Sequence, residues 1–173
     1  MGNITEPSQV KLFIGMLSSG ESIFTAVDDQ LIAVFGDIDF KSPVWPWEHT
    51  RYYSSEMGEG LKRRFVFFEK HVHPGEISDI KVQTNEIEKR FLTDEGGRKI
   101  NLDPGYLDSS KLVLVSTKNF SHRVYLDKGI YGEVTLIYSG DNFQPLPYTF
   151  PDYKTEAYLA LFKEARTIFK EHN

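Results

Sequence analysis

A chain of 173 residues with a formal net charge of -5 and no cysteine excludes disulfides, thiolate chemistry and cysteine-held zinc. The acidic balance argues against a general nucleic-acid binder, which needs a basic footprint to release counterions, and no apolar run approaches the roughly 20 residues of a membrane span. Aromatic residues make up 14%, enough to predict a densely packed core or an aromatic-lined pocket.

The N-terminus has no basic stretch followed by an apolar one and is not a signal peptide, so the expected location is cytoplasmic. Residues 1–9 read as a flexible tail and residues 10–173 as one α+β domain. Residues 10–17 (VKLFIGML) are apolar on both faces, the pattern of a central strand buried on two sides. Ser18 and Glu21 have the spacing of a capping box. The helix that follows should bury Ile23, Val27, Leu31 and Val34, with Phe24 and Phe35 widening the stripe, and stop at Gly36. Pro43 and Pro46 reduce residues 37–47 to an edge strand at best. A loop over 49–60, carrying Tyr52 and Tyr53, leads to a strand over 64–71 and, after Pro74 and Gly75, to a helix over about 76–91 with Ile77, Ile80, Ile87 and Phe91 inward.

A fourth strand is expected at 99–102, followed by a turn at Pro104-Gly105, and another strand at 111–116. Residues 123–126 and 130–138 flank Asp127-Lys128-Gly129 as a hairpin. A turn at 139–142 leads to the proline-rich run QPLPYTFPDY, and Thr155 caps a last helix that buries Tyr158, Leu161, Phe162, Ala165 and Ile168. The order β-α-β-β-α-β predicts a ferredoxin-like core extended by a C-terminal β-meander and a closing helix.

Chemistry concentrates in residues 101–133, where Asp103, Lys118, His122, Arg123, Tyr125 and Glu133 stand among short apolar strands. With the hairpin loop at 127–129, Arg123 faces Glu133 and Tyr125 faces Tyr131, while Val124, Leu126, Ile130 and Val134 point the other way as core. The Arg123–Glu133 pair reads either as a solvated cross-strand salt bridge worth roughly 0.2–1 kcal/mol, or as part of a cleft in which Arg123 holds an anion. The same alternation puts His122 on the core side. Asp103 before Pro104 is either a turn-forming acceptor or a catalytic carboxylate.

Met57-Gly-Glu-Gly-Leu-Lys-Arg-Arg64 pairs flexible backbone with three cations but lacks the spacing of a phosphate loop. His71 and His73 share a strand face with no acidic or histidine partner at a diagnostic distance, so no metal is assigned. Trp45, Trp47, Tyr52 and Tyr53 form an aromatic stretch suited to an interface.

The segments VKLFIGMLSS, MGEGLKRRF, TNEIE, INLDPGYL, LVSTKNFSHRVYL, GIYGEVTL and YTFPDY together resemble a bacterial family known as domain of unknown function 4416, over nearly the whole chain. No reaction is established for that family, so the resemblance assigns no residue a role. Some similar sequences are labelled GTP-binding, yet the phosphate loop and a guanine-reading Asn-Lys-x-Asp are both missing here. The expected function is binding or processing of a small anionic ligand, phosphorylated or nucleotide in kind, in a cleft on the sheet. Asp103, His122 and Glu133 are the catalytic candidates, and Arg64, Lys118, Arg123 and Tyr125 the ligand-binding ones. The alternative is a non-catalytic interaction or homodimerising module. No cofactor follows from the residues, and the oligomeric state is left open.

Overall fold

Runs of β-branched, aromatic and leucine residues form nine strands, each antiparallel to its neighbours, in a computed structural model that describes residues 2–48 and 57–172. They are β1 (Lys11–Ser18), β2 (Ile38–Lys41), β3 (Trp45–Pro46), β4 (Lys62–Phe68), β5 (Asn101–Leu107), β6 (Lys111–Ser116), β7 (Val124–Asp127), β8 (Ile130–Ser139) and β9 (Asn142–Pro145). Helices α1 (Glu21–Phe35), α2 (Ile77–Lys89) and α3 (Glu156–Glu171) complete an α+β architecture. The path across the sheet is β2-β4-β1-β5-β6-β8-β7, with β3 pairing β4 and β9 pairing β8. Among the described residues no helix is long and apolar enough to cross a membrane.

The apolar run of β1 has a simple cause: both faces of the sheet are covered. On the first face, Leu12, Ile14 and Met16 join Val66 and Phe68 of β4 against Phe24, Val27 and Leu31 of α1 and Ile77, Ile80 and Ile87 of α2. On the second, Phe13, Phe65, Phe67, Leu112 and Leu136 pack against Tyr158, Leu161, Phe162 and Phe169 of α3. Phe162 is wholly buried between Phe13 and Phe65, at ring-centroid distances of 5.3 Å from each. Such burial is worth about 1.5–3 kcal/mol per side chain.

Several local expectations change. Glu21 and Ser18 form no capping box: Ser18 Oγ accepts from Gly20 N and donates to the Lys99 carbonyl, fixing β1 to the entry of β5 instead. The buried stripe of α1 runs through Phe24, Val27, Asp28, Leu31 and Phe35, leaving Val34 exposed. It is turned toward Asp28 because that carboxylate takes Arg64 and Lys41. In α3 the inward residue is Phe169 rather than Ile168. The hairpin turns on Lys128 and Gly129, both at positive φ, and pairs Asp127 with Ile130, so Leu126 is bulged out. Val124 and Leu126, expected in the core, are exposed on β7, which ends the sheet.

Pro104-Gly105 is not a turn. Both lie inside β5, with Pro104 opposite Ile14 and Gly105 between Phe13 and Leu114. Pairing with β6 begins only at Gly105, past the residue that has no N–H. Gly105 is there for room: a Cβ would fall 2.5 Å from the Val113 carbonyl oxygen and 2.6 Å from Phe13 Cζ. Because backbone cannot step aside, Gly105→Ala is expected to destabilise the fold by about 1–3 kcal/mol, read as a lower urea midpoint at unchanged slope.

Candidate functional site

After β9 the chain crosses back over β8, and the sequence supplies the anchor. Leu112 pairs with Leu136 and Val113 with Val134, so Thr135 is an extra residue with no partner on β6. Thr149 Oγ1 donates to the Thr135 carbonyl at 2.5 Å and Tyr148 Oη to the Val134 carbonyl at 3.0 Å. The strap so held, stiffened by Pro147 and Pro151, runs into a 3-10 turn, Asp152–Lys154, and then into α3, whose Tyr158 N–H donates to Thr155 Oγ1. Between strap and sheet lies a cavity of about 360 Å³. Its walls are Trp47, Phe120, Phe150 and Tyr153, its floor is Leu114, Val115 and Ser116, and its charged lining is Arg63, Asp103, Lys118, Arg123, Glu133 and Asp152. The size and the mixture of apolar walls with a few convergent polar groups suit a small organic molecule.

Arg63 leaves β4 on the second face and reaches across β1 to β5. It can do so because Gly15 stands on β1 opposite both Phe65 and Asp103, and a Cβ there would come within 3.1 Å of Arg63 Nη1. Nη1 donates to Asp103 Oδ2 at 3.2 Å, while Nη2 lies 3.7 Å from Asp152 Oδ2, which also accepts from Trp47 Nε1 at 3.0 Å. The guanidinium faces the rings of Trp47 and Phe65 at 5.6 and 5.7 Å. Burial works against its charge, but Asp103 and Asp152 outweigh that, and Arg63 stays protonated more firmly than a free arginine. Burial pushes the hydroxyls of Tyr153 and Tyr158 upward, so both are neutral phenols. Arg63 Nε and Tyr153 Oη have no hydrogen-bond partner among the described residues, an outlay of about 1–3 kcal/mol each in a folded core.

Asp103 is held from behind. Asn101 Nδ2 donates to Asp103 Oδ2 at 2.8 Å, and Asn101 Oδ1 in turn accepts from Arg98 Nη1 at 2.9 Å. Arg98 also reaches Glu88 Oε2 of α2, and Glu88 Oε1 takes the Leu102 N–H at 2.6 Å. Burial alone would raise the Asp103 carboxyl; Arg63, Lys81 and the Asn101 bond overcome it and hold the group below the usual carboxylate value. Glu88 goes the other way, pushed up by its burial. Both bonds to Asp103 fall on Oδ2, and its side chain is 30% exposed at the cavity, so Oδ1 is left as an acceptor with no hydrogen bond to the described residues.

Glu133 and Arg123 form the opposite wall. Arg123 Nε donates to Glu133 Oε2 at 2.7 Å and Nη1 to the Lys118 carbonyl at 2.9 Å. Its guanidinium lies over Phe120 at 4.9 Å and Phe150 at 5.9 Å. The side chains of Arg123 and Glu133 are only 4% and 2% exposed, so this pair is not a solvated bridge. The reason is the strap, which covers what would otherwise be an outward sheet face. His122 stacks on Tyr148 with centroids 4.5 Å apart and meets Glu133 Oε2 through Nε2 at 2.9 Å.

The structure thus gathers Asp103, Lys118, Arg123 and Glu133 around one hollow. His122 stands behind Glu133, toward the strap rather than in the core, and outside the cavity lining. Arg64 lies on the opposite face, where it donates to the Phe24 carbonyl and to Asp28 and covers the Phe24 ring. Tyr125 is exposed on β7 against Tyr131. Arg63, the cation that does line the cavity, was missed although strand alternation puts it with Phe65 and Phe67, one step from Arg64. Trp47 was also missed as a site residue, since only the closing of the chain brings it there.

Other motifs resolve without a site. Lys62, Arg63 and Arg64 each meet a carboxylate, Glu21, Asp103 and Asp28, so the glycine-rich run before them is no open phosphate cradle. His71 packs on Phe169, and His73 Nδ1 accepts from Gly75 N. Among the described residues no three metal-ligating side chains converge. Trp47 is buried, and Trp45 lies against Phe65 and Tyr158; Tyr52 and Tyr53 lie outside the described residues.

Two predictions follow the charges. Arg123→Ala leaves a buried Glu133 with His122 and Thr135 as its side-chain partners among the described residues, and is expected to lower stability by about 3 kcal/mol in urea denaturation, against at most about 1 kcal/mol for a surface pair. The depressed Asp103 carboxyl adds stability at neutral pH that disappears as pH drops below its ordinary 3.8. Stability curves of the native protein and Asp103→Asn should therefore converge on acidification, and parallel curves would remove Asp103 from the ionised network.

Residues 8–169 match the model of a family described as domain of unknown function (DUF4416), a span that contains every residue lining the cavity. No curated protein and no solved structure matches the chain. By that match, running from the residues before β1 to the last turns of α3, the chain belongs to the DUF4416 family.

Proposed function

We propose that the protein binds, and processes, a small anionic organic molecule in the cavity under the strap. The observation that carries this reading is the convergence of charges from β4, β5, β8 and the two loops beside them on one aromatic-walled hollow. A buried Arg–Glu pair is seldom the most stable choice for a core, and replacing one by apolar residues is often neutral or stabilising. Its retention beside an open cavity favours a role in recognition. Lys118 and Arg123 are the cations for the anionic group. Arg123 presents a planar fork suited to carboxylate or phosphate. Asp103, kept ionised by Arg63, is an acceptor or base; Glu133, shared by Arg123 and His122, orients both.

The interaction-module reading has less support. Its aromatic stretch contributes Trp47 to the cavity wall and Trp45 to the second core, so neither offers an open surface. For the fold, the antiparallel order β2-β4-β1-β5 with α1 and α2 on one face supports a ferredoxin-like reading of the first part of the chain.

A thermal-shift screen of small carboxylates and phosphate esters tests the proposal. A ligand at about 100 times its Kd should raise Tm by roughly 5–10 °C. Ser116→Phe, which puts a ring on the cavity floor, should abolish the shift. Absence of any shift up to millimolar concentration, or shifts indifferent to Ser116→Phe, would end this reading.

A further inference from the structure

The charged lining of the cavity is balanced, Arg63, Lys118 and Arg123 against Asp103, Glu133 and Asp152. A molecule that is only an anion gains at one wall and is repelled at the other. The carboxylates are not equivalent. Glu133 Oε2 is engaged by Arg123 and His122, and Asp152 Oδ2 by Trp47 and Arg63. Asp103 lines the cavity with Oδ1 making no hydrogen bond to the described residues, its other oxygen pinned by Asn101 and Arg63. Across the hollow, Arg123 spends Nε on Glu133 and Nη1 on the Lys118 carbonyl, and Nη2 donates to none of the described residues.

Register fixes the separation. Gly105 of β5 and Glu133 of β8 both stand opposite Leu114 of β6, so the Asp103 wall and the Glu133–Arg123 wall are two strands apart, roughly 10 Å sideways, with Asp103 two residues, roughly 7 Å, further along β5. Between them the lining is apolar, Leu114 with Phe120 and Phe150. An acceptor at one end, a donor at the other and an apolar slot between describe the complement of a molecule with two different polar ends.

We infer that the ligand is amphoteric: its anionic end sits on Arg123 and Lys118, its N–H-donating or ammonium end on Asp103 Oδ1, and a flat apolar body spans the floor between. This rests on the cavity being a binding site and adds the class of molecule that fits it. Asn101 and Arg98 are then positioning residues, since they choose which Asp103 oxygen is left for the ligand.

The test uses three near-isosteric probes on the native protein, followed by calorimetry: para-aminomethylbenzoate with both ends, para-toluate with the acid alone and para-methylbenzylamine with the amine alone. The two-ended probe is expected to bind at least about tenfold more tightly than either single-ended one, the worth of one charge-assisted hydrogen bond. In Asp103→Asn its advantage over para-toluate should vanish, with para-toluate binding no more weakly than to the native protein because one repelling charge is gone. If Asp103→Asn does not fold, the comparison on the native protein decides alone. Para-toluate binding as tightly as the two-ended probe overturns the amphoteric assignment and leaves the cavity as an anion site. Binding by none of the three overturns the cavity reading together with this one.

Discussion

The guanidinium of Arg63 is the tie between the two halves of this molecule. It starts on β4, passes over β1 in the space that Gly15 leaves empty, and ends between Asp103 of β5 and Asp152 at the head of α3. Sheet, strap and final helix are thereby fixed to one charge. A guanidinium can serve three directions at once because its nitrogens diverge in a plane. A lysine in its place would offer one point charge and could not hold both carboxylates. The wall of the cavity is consequently not a set of separate side chains but one assembly, extended through Asn101 and Arg98 to Glu88 on the far helix.

Such an assembly trades stability for definition. Burying ions costs several kcal/mol each, which Coulomb attraction and hydrogen bonds recover only when geometry is good. Here the recovery is incomplete, since Arg63 Nε and Tyr153 Oη lack partners among the described residues. An apolar core would fold as well or better. What it would not do is keep an ionised carboxylate and a cation on facing walls of one hollow, where the low local dielectric strengthens polar contacts.

Strand periodicity in the sequence was informative where one rule decided. β1, β6 and the capped final helix follow from local pattern alone, and so did the crowding of polar groups between residues 101 and 133. The errors share a cause. Alternation sorts Arg123 and Glu133 from Val124 and Leu126, but it does not say which side the rest of the chain will cover. The side that reads as core is bare at β7, and the side that reads as solvent is roofed by a strap some fifteen or more residues further on. Pro104-Gly105 misled for a related reason. Local statistics favour a turn, yet Gly105 answers a non-local need, the approach of Phe13 and the Val113 carbonyl. Arg63 and Arg64 differ by one position in sequence and by a whole face in space, a difference that strand alternation carries and composition does not.

The existence of the cavity follows from coverage. Seven strands side by side span about 30 Å, and one helix covers about 10 Å of that width. The first face carries two helices, α1 and α2, and closes with apolar contacts from β4 to β5. Among the described residues the second face carries α3, which settles over the phenylalanines of β1 and β4 and the leucines of β6 and β8. The part of the sheet around Asp103, Leu114 and Glu133 is left for an extended strap, and a strap one residue thick cannot fill the depth that a helix would. A hollow therefore forms there, and the sequence has lined it with charges and rings instead of leucine and valine that would have drawn it shut. The placement of polar residues at a region that the described helices leave uncovered is what the proposed binding role rests on.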